Sequence, residues 1–292
     1  MFKGSIVALV TPFRDGEVDD KSYQSIIEWQ ISEGTDGLVP VGTTGESPTL
    51  SHKEHERVVD LCVEASGGRV PVIAGAGSNS TEEAVELTRY AKKAGADGAL
   101  VVTPYYNKPS QEGLYSHFKT IADSVDIPII IYNIPPRSVV DMSVETMTRL
   151  ANDCHNIVGV KDATQDLVRP LATRAAIRDD FCLLSGEDAT VLSFLVNGGD
   201  GCISVTANVA PRACADMHDA WQAGEYERAM VINDRLFPLH NALFVEPNPV
   251  PSKYALLKLE KTTSDVRLPL TSANVNTQKL VDAALVSSGL LN

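Results

Sequence analysis

The chain has few of the features that point to a disulfide scaffold, a nucleic acid or a membrane. Its five cysteines are scattered and lack any CxxC spacing, so we expect neither disulfides nor a zinc site. A net charge of −13 argues against nucleic acid as a partner. No apolar run approaches the roughly 18 residues of a membrane span, and the apolar N-terminal stretch is interrupted too early for a signal peptide. We therefore expect a cytoplasmic protein with no membrane partner.

Short apolar runs rich in β-branched residues recur along the chain, and each is followed by a segment with helical periodicity. Alternation of strand and helix predicts a parallel sheet. The runs recur at a mean spacing of about 28 residues, which is typical of βα units. They begin near Ser5, Leu38, Pro71, Gly98, Ile127, Asn156, Phe181 and Gly201.

Eight such units in succession predict a (β/α)8 barrel, the TIM barrel. We assign residues 1–224 to this barrel and residues 225–292, which have helical periodicity, to a small C-terminal helical domain. A doubly wound open sheet is the competing architecture, but it normally carries a glycine-rich phosphate turn after its first strand. Here the first strand runs into Val10-Thr11-Pro12-Phe13 instead, which favours the barrel.

A barrel of this kind places its functional residues after the carboxyl ends of its strands. Lys161 stands there, directly after the apolar run 156–160. An ammonium group is costly to desolvate, so burial favours the neutral amine, which is the nucleophilic form. On this run alone, a lysine that marks a strand end and points into solvent is the competing interpretation.

Other strand ends supply groups that would support a reactive lysine. Tyr132 lies 29 residues before Lys161, one βα unit, so the two should stand on neighbouring strands at equal height. A phenol there can pass protons. Thr43 and Thr44 lie between two glycines and offer hydroxyl and backbone N–H donors to a small carboxylate. Arg137, after two prolines, could grip a carboxylate with its planar fork, or it could be a solvated surface arginine.

Two apparent motifs carry neither a metal site nor a phosphate site. His52 and His55 are three residues apart but lack a third ligand, so we predict no metal. The glycine-rich run 198–201 precedes the eighth strand and would lie at the opposite face of the barrel, so we predict no phosphate site.

Nine segments together carry a resemblance to a known family: GSIVALVTPF, VGTTGES, VIAGAGSNST, VTPYYNKPSQEGLY, IYNIPPRS, IVGVKDAT, LLSGEDA, GCISVTANV and PLHNALFVEPNPVPSKYAL. Through them the chain resembles, over nearly its whole length, the dihydrodipicolinate synthase family, within the pyruvate-dependent class I aldolase and lyase superfamily.

The resemblance implies a reaction and its catalytic residues. Lys161 would form a Schiff base with pyruvate, whose enamine would attack L-aspartate-4-semialdehyde to give 4-hydroxy-tetrahydrodipicolinate, the first committed step of diaminopimelate and lysine biosynthesis. Tyr132, Thr43 and Tyr106 would relay protons, with Tyr106 donated across a dimer interface. No cofactor is implied.

The resemblance also implies substrate-binding residues and an assembly. Thr44 would help to bind the pyruvate carboxylate, Arg137 would hold the carboxylate of the semialdehyde, and the backbone at Gly186 and Ile203 would line the pocket. The working form would be a homotetramer, a dimer of dimers. Ser138 follows Arg137 where the family often has threonine, which keeps the hydroxyl.

A site for feedback inhibition by L-lysine is implied as well. Glu83 could pair with the ligand's amine and Asn79 with its polar head. Glu83 would also serve as the capping-box partner of Ser80, and the two histidines could equally be exposed first-turn residues. Pro48 stands where a small residue is common and could alter the site. The implied residues are Ser47, Pro48, His52, His55, Asn79, Glu83 and Tyr105.

Other activities compete with this interpretation. N-acetylneuraminate lyase and keto-deoxy-sugar-acid aldolases share the lysine, the tyrosine and the GxTGE loop, but they generally lack the arginine found at position 137 and differ at the first threonine. Thr43 and Arg137 together favour the synthase. A non-catalytic barrel that binds a keto acid is the alternative from another class. It usually requires the loss of a reactive residue, and none is lost here.

Overall fold

The computed structural model describes residues 2–291, and its main strands lie where the sequence predicts them. Eight strands belong to one parallel sheet, and each begins within two residues of its predicted start. In chain order the strands are β1 (Gly4–Ala8), β2 (Phe13–Arg14), β3 (Glu17–Val18), β4 (Gly37–Val39), β5 (Ile73–Gly75), β6 (Gly98–Val102), β7 (Ile129–Asn133), β8 (Ile157–Asp162), β9 (Cys182–Ser185) and β10 (Gly201–Ser204).

Helices follow the strands of the parallel sheet, as the alternating pattern predicts. They are α1 (Asp20–Ser32), α2 (His52–Ser66), α3 (Thr81–Ala94), α4 (Gln111–Ser124), α5 (Pro135–Ser138), α6 (Val144–Asp153), α7 (Arg169–Ala176), α8 (Val191–Val196), α9 (Pro211–Gln222), α10 (Tyr226–Ala242), α11 (Val250–Lys258) and α12 (Val275–Ser287).

The chain forms two compact units, and the first consists of Phe2, Lys3 and Pro71–Ile203. Its strands β5 to β10 follow one another across the sheet in chain order, and all are parallel. The residues of β7 are all buried. Its run of isoleucines is typical of a parallel strand covered on both faces.

The second unit comprises residues 4–70 and 204–291. In it β1 and β4 pair in parallel, with Ile6 opposite Gly37. Helices α1, α2 and α9 to α12 belong to the same unit. The predicted division of the chain at residues 224 and 225 stays a prediction.

A two-stranded antiparallel hairpin, β2 and β3, follows β1 and was not predicted. Its turn is Asp15-Gly16, and both residues have positive φ, at 54° and 85°. This conformation matches the right-handed twist of the two flanking strands, and Asp-Gly is among the dipeptides that favour it.

Helices α2 and α3 both begin at a serine cap, and the box predicted for Ser80 and Glu83 is modified. At α2, Ser51 and Glu54 form the full capping box. At α3, the Ser80 side chain accepts from the Glu83 N–H, while the Ser80 N–H donates to the Ser78 hydroxyl. That hydroxyl donates in turn to the Glu83 carboxylate, so Ser78 stands between the two members of the predicted box.

Within residues 2–291, no helix combines the length and the apolar character needed to cross a lipid bilayer.

Candidate active site

Lys161 and Tyr132 lie side by side at the carboxyl ends of β8 and β7. The two residues are direct partners in the strand register, which confirms the equal height predicted from their spacing. The Lys161 Nζ lies 4.2 Å from the centroid of the Tyr132 ring. Both side chains are buried, with exposed fractions of 5% and 6%. The lysine is therefore not the solvent-pointing residue of the competing interpretation.

Gly186 leaves room for the Lys161 side chain. A Cβ at position 186 would lie 3.1 Å from the Lys161 Cε and 2.7 Å from the Cβ of Ala163. The Gly186 N–H donates to the Asp162 carbonyl oxygen at 2.7 Å, which holds the backbone close to β8. Any larger residue at position 186 would therefore push against the lysine.

Glu187 is a carboxyl group close to Lys161 to which sequence reasoning gave no role. Burial raises the pKa of Glu187, while the hydrogen bond from Gln165 and the positive charge of Lys161 act in the opposite direction. The Gln165 amide donates to Glu187 at 2.9 Å. Burial favours the neutral form of this carboxyl group, so Glu187 is a further polar group beside Lys161 whose ionisation depends on its surroundings.

Arg137 lies in the short helix α5, directly after β7. Its side chain is exposed and makes no hydrogen bond or ion pair with any other residue of the described range 2–291. The adjacent Ser138 is buried, and its single hydroxyl proton is shared between the carbonyl oxygens of Ile134 and Val140, each 2.9 Å away. The hydrogen bonds of Ser138 fix the backbone of this loop. The position of Arg137 is therefore fixed, and its exposed guanidinium is accessible to a ligand.

Tyr106 follows β6 and is 89% exposed, with a φ of 70°. A large aromatic side chain turned outward by a left-handed backbone conformation is uncommon for a non-glycine residue. This exposure is compatible with a role outside its own chain, which remains a prediction. Ile203 is fully buried in β10.

In the second unit, Thr43 and Thr44 occupy a tight loop after β4. The loop is closed by bonds from the N–H groups of Gly45 and Glu46 to the carbonyl oxygens of Gly42 and Thr43, both at 3.1 Å. Neither bond uses the N–H of Thr43 or Thr44. Thr44 is buried, and its hydroxyl accepts a hydrogen bond of 2.8 Å from the amide Nδ2 of Asn248.

A buried ionic cluster lies next to this loop in the same unit. Lys253 and Glu46 form an ion pair at 2.5 Å with side-chain exposures of 0% and 2%. Burial lowers the pKa of Lys253 to about 8, against the opposing effect of Glu46. The Arg267 N–H donates to Glu46 at 3.0 Å. A hydrogen bond from the Arg267 guanidinium lowers the pKa of Glu54 to about 2.

Three of the residues implied in L-lysine binding lie together in the first unit. Asn79 donates to the backbone oxygen of Tyr105 at 3.2 Å. Burial, followed by the charge of Glu83, raises the pKa of the Tyr105 hydroxyl. A polar group of this composition can bind an ammonium group.

The remaining residues implied in L-lysine binding belong to the second unit. Ser47 and Pro48 start a 3-10 helix, and His52 and His55 lie in the first turn of α2. His52 is exposed, whereas His55 is buried, with 6% exposure. The alternative that both histidines are exposed is therefore wrong for His55.

The glycine-rich run 198–201 precedes β10, as predicted, and Gly198 lines a cavity of about 600 Å³ in the first unit. Arg174 of α7 and Leu183 of β9 are among the other residues that line it. In the described part of the chain, no group of three or more His, Cys, Asp and Glu side chains could hold a metal ion.

Comparison with known proteins identifies the class and the family. The model of the Dihydrodipicolinate synthetase family matches residues 1–287. The chain is 66% identical to the 4-hydroxy-tetrahydrodipicolinate synthase of Rhodospirillum centenum over 291 residues, which cover 100% of both chains.

Solved structures agree. A dihydrodipicolinate synthase from Acinetobacter baumannii, complexed with pyruvate, is 46% identical with a TM-score of 0.97 and coverage of 100% of both chains. One from Cyanidioschyzon merolae with lysine bound is 41% identical with a TM-score of 0.96 and coverage of 99% of both.

The fold is the predicted (β/α)8 barrel, and the protein is an enzyme of the lyase class. The chain belongs to the Dihydrodipicolinate synthetase family.

Proposed function

We propose that the chain condenses pyruvate with L-aspartate-4-semialdehyde to give 4-hydroxy-tetrahydrodipicolinate in lysine biosynthesis. The observation that carries the proposal is the buried pair of Lys161 and Tyr132, with the amine 4.2 Å from the phenol ring at the carboxyl end of neighbouring strands. The identity of 66% to a curated synthase over the full length supports it.

In this proposal Lys161 is the nucleophile. Its neutral amine attacks the keto carbon of pyruvate to give a carbinolamine, whose hydroxyl takes a proton and leaves as water, so that an iminium ion remains. The positive nitrogen makes the methyl group acidic, so a proton is lost and an enamine forms. The enamine carbon attacks the aldehyde carbon of the second substrate. The amine of that substrate then adds to the iminium carbon and displaces Lys161 as the ring closes.

The proton transfers are assigned to hydroxyl groups. Tyr132 would give and take the protons of the carbinolamine, since its ring lies against the reactive amine. Thr43 and Tyr106 would complete the relay, with Tyr106 contributed by a neighbouring copy of the chain. Its 89% exposure leaves it available for that role.

Substrate binding is assigned to groups that recognise carboxylates. Thr44 would bind the carboxylate of pyruvate. Arg137 would bind the carboxylate of the semialdehyde, since its guanidinium has no partner among residues 2–291. The backbone at Gly186 and Ile203 would line the pocket. The family resemblance leads us to place the enzyme in the cytoplasm as a homotetramer, a dimer of dimers.

A panel of aldehydes tests the proposal directly. We expect pyruvate to be consumed with L-aspartate-4-semialdehyde and not with N-acetylmannosamine or small sugar aldehydes, because Arg137 selects an acceptor that carries a carboxylate. Pyruvate consumption can be followed for each acceptor at the same enzyme concentration. Turnover with a sugar aldehyde alone would keep Lys161 and Tyr132 in their roles but assign the chain to the rival lyases.

L-lysine is proposed as an inhibitor. The support is the lysine bound in the Cyanidioschyzon merolae relative and the polar group of Asn79, Glu83 and Tyr105 in this chain. We expect calorimetry to show heat on titration with millimolar L-lysine and none in an E83Q variant, because the neutral amide cannot balance the ligand's ammonium group. D-lysine serves as the control ligand. If the unmodified protein releases or takes up no heat on titration with L-lysine, the proposal that L-lysine is an inhibitor is wrong.

A further inference from the structure

Asn248 provides the side-chain donor to the hydroxyl of Thr44. It lies in the PNPVPSKYAL segment, to which no role has been assigned above, and is 6% exposed. Its Nδ2 donates to the Thr44 Oγ1 at 2.8 Å, and both residues belong to the second unit. The contact joins two segments far apart in the chain.

This contact fixes the direction of the Thr44 proton. A threonine hydroxyl has one proton to donate and two lone pairs that accept. Because one lone pair accepts from the Asn248 amide, the hydroxyl proton must point to another group. Among residues 2–291 no acceptor of that proton is found. The Thr44 hydroxyl is therefore set up to donate to an anion that the chain itself does not supply.

The segment that carries Asn248 is anchored to the same loop a second time. The Lys253 N–H donates to the carbonyl oxygen of Pro249 at 2.9 Å in the first turn of α11. The Lys253 side chain reaches Glu46, two residues after Thr44, in the buried ion pair. Two contacts thus hold Thr44 and Asn248 in one geometry.

A role in stability alone does not account for the Asn248 amide. Its Oδ1 is buried and has no hydrogen-bond partner in the described part of the chain. A buried acceptor without a partner costs free energy of folding. An apolar residue of similar size would avoid that cost, which indicates that the amide serves the Thr44 hydroxyl.

We propose that Asn248 is a positioning residue that directs the Thr44 hydroxyl toward the carboxylate of the keto-acid substrate. The inference rests on the proposed function, because it takes Thr44 as the binding group for that carboxylate. Asn248 acts through Thr44.

The sharpest test is N248D, which keeps the shape of the side chain and reverses its polarity. An aspartate accepts where the asparagine donates, so the Thr44 hydroxyl would turn its proton toward position 248 and away from pyruvate. We expect the half-saturating pyruvate concentration, measured by borohydride trapping and as KM, to rise about tenfold to a hundredfold. The kcat at saturating pyruvate should change much less.

Two controls separate this effect from charge repulsion and from general damage. In a T44V background, N248D should raise the half-saturating pyruvate concentration by no more than about twofold. If N248D raises the half-saturating pyruvate concentration in T44V as much as it does in the unmodified protein, the effect comes from the new charge and the inference is overturned. N156D alters another buried asparagine, whose Nδ2 donates to the backbone oxygens of Ala122 and Val125. It should lower the unfolding temperature without moving the pyruvate KM.

The outcomes distinguish the inference from the function on which it rests. If the unmodified protein forms no borohydride-trapped pyruvate adduct, the proposed function fails. If it forms the adduct and N248D leaves the half-saturating pyruvate concentration unchanged, only the role of Asn248 is wrong.

Discussion

Replacement of Lys161 by alanine is expected to abolish the covalent capture of pyruvate. The imine needs an amine at this position, and the lysine is buried against Tyr132 with its Nζ 4.2 Å from the ring centroid. We expect no mass increase after treatment of K161A with pyruvate and borohydride. Turnover should fall by at least about a thousandfold, since the covalent route is lost. K161R should behave in the same way, because an arginine keeps the charge but forms no such imine.

A surface lysine provides the matched control for this experiment. Lys119 lies on α4, is paired with Asp123 at 3.0 Å and is partly exposed. K119A should retain both the adduct and the turnover. A pyruvate adduct of undiminished yield in K161A would show that another amine reacts and would contradict the assignment of the nucleophile.

Replacement of Lys253 by methionine is expected to cost about 3–5 kcal/mol of unfolding free energy, because it leaves the Glu46 carboxylate without its buried partner. The pair is closed at 2.5 Å with almost no exposure of either side chain. Lys253 also donates to the backbone oxygen of Asp265 at 2.7 Å and lies over the ring of Phe13 at 4.1 Å. Denaturant unfolding of K253M measures the loss.

Two further variants show whether the loss comes from the unpaired charge. The double variant E46Q/K253M removes the charge as well and should recover part of the lost stability. K258M breaks the exposed pair of Lys258 and Asp282, 3.7 Å apart, and should cost less than about 1 kcal/mol. If K253M and K258M lose the same unfolding free energy, the buried ion pair stabilises the protein no more than an exposed one does.

The sequence predicts the strands of the barrel well because their signal is local. Runs of buried β-branched residues such as Ile129–Ile131 recur at the spacing of βα units, and no long-range information is needed to recognise them. The relative height of Tyr132 and Lys161 follows from the same spacing. The hairpin, which was not predicted, also has a local signal, because the Asp15-Gly16 dipeptide favours this turn.

The contacts around the Thr44 loop could not be predicted in the same way. Glu46 and Lys253 lie far apart in the chain, and no periodicity relates them. Asn248 carries only the signal of a polar residue between prolines, which is typical of any turn. Glu187 lies two residues after the end of β9, and the burial that raises its pKa depends on the packed structure. Such features arise from tertiary packing.

The register of β7 and β8 limits which parts of this barrel can change in sequence without moving Tyr132 and Lys161 relative to each other. Because Tyr132 and Lys161 are opposite each other in hydrogen-bonded strands, a shift of either strand by one residue would turn its side chains to the other face. The relative position of the amine and the phenol therefore depends on this register being kept. Residues 134–142 follow β7 outside that register. Under the proposed role of Arg137, we expect substitutions there to alter which aldehyde is accepted without changing the placement of Lys161 and Tyr132.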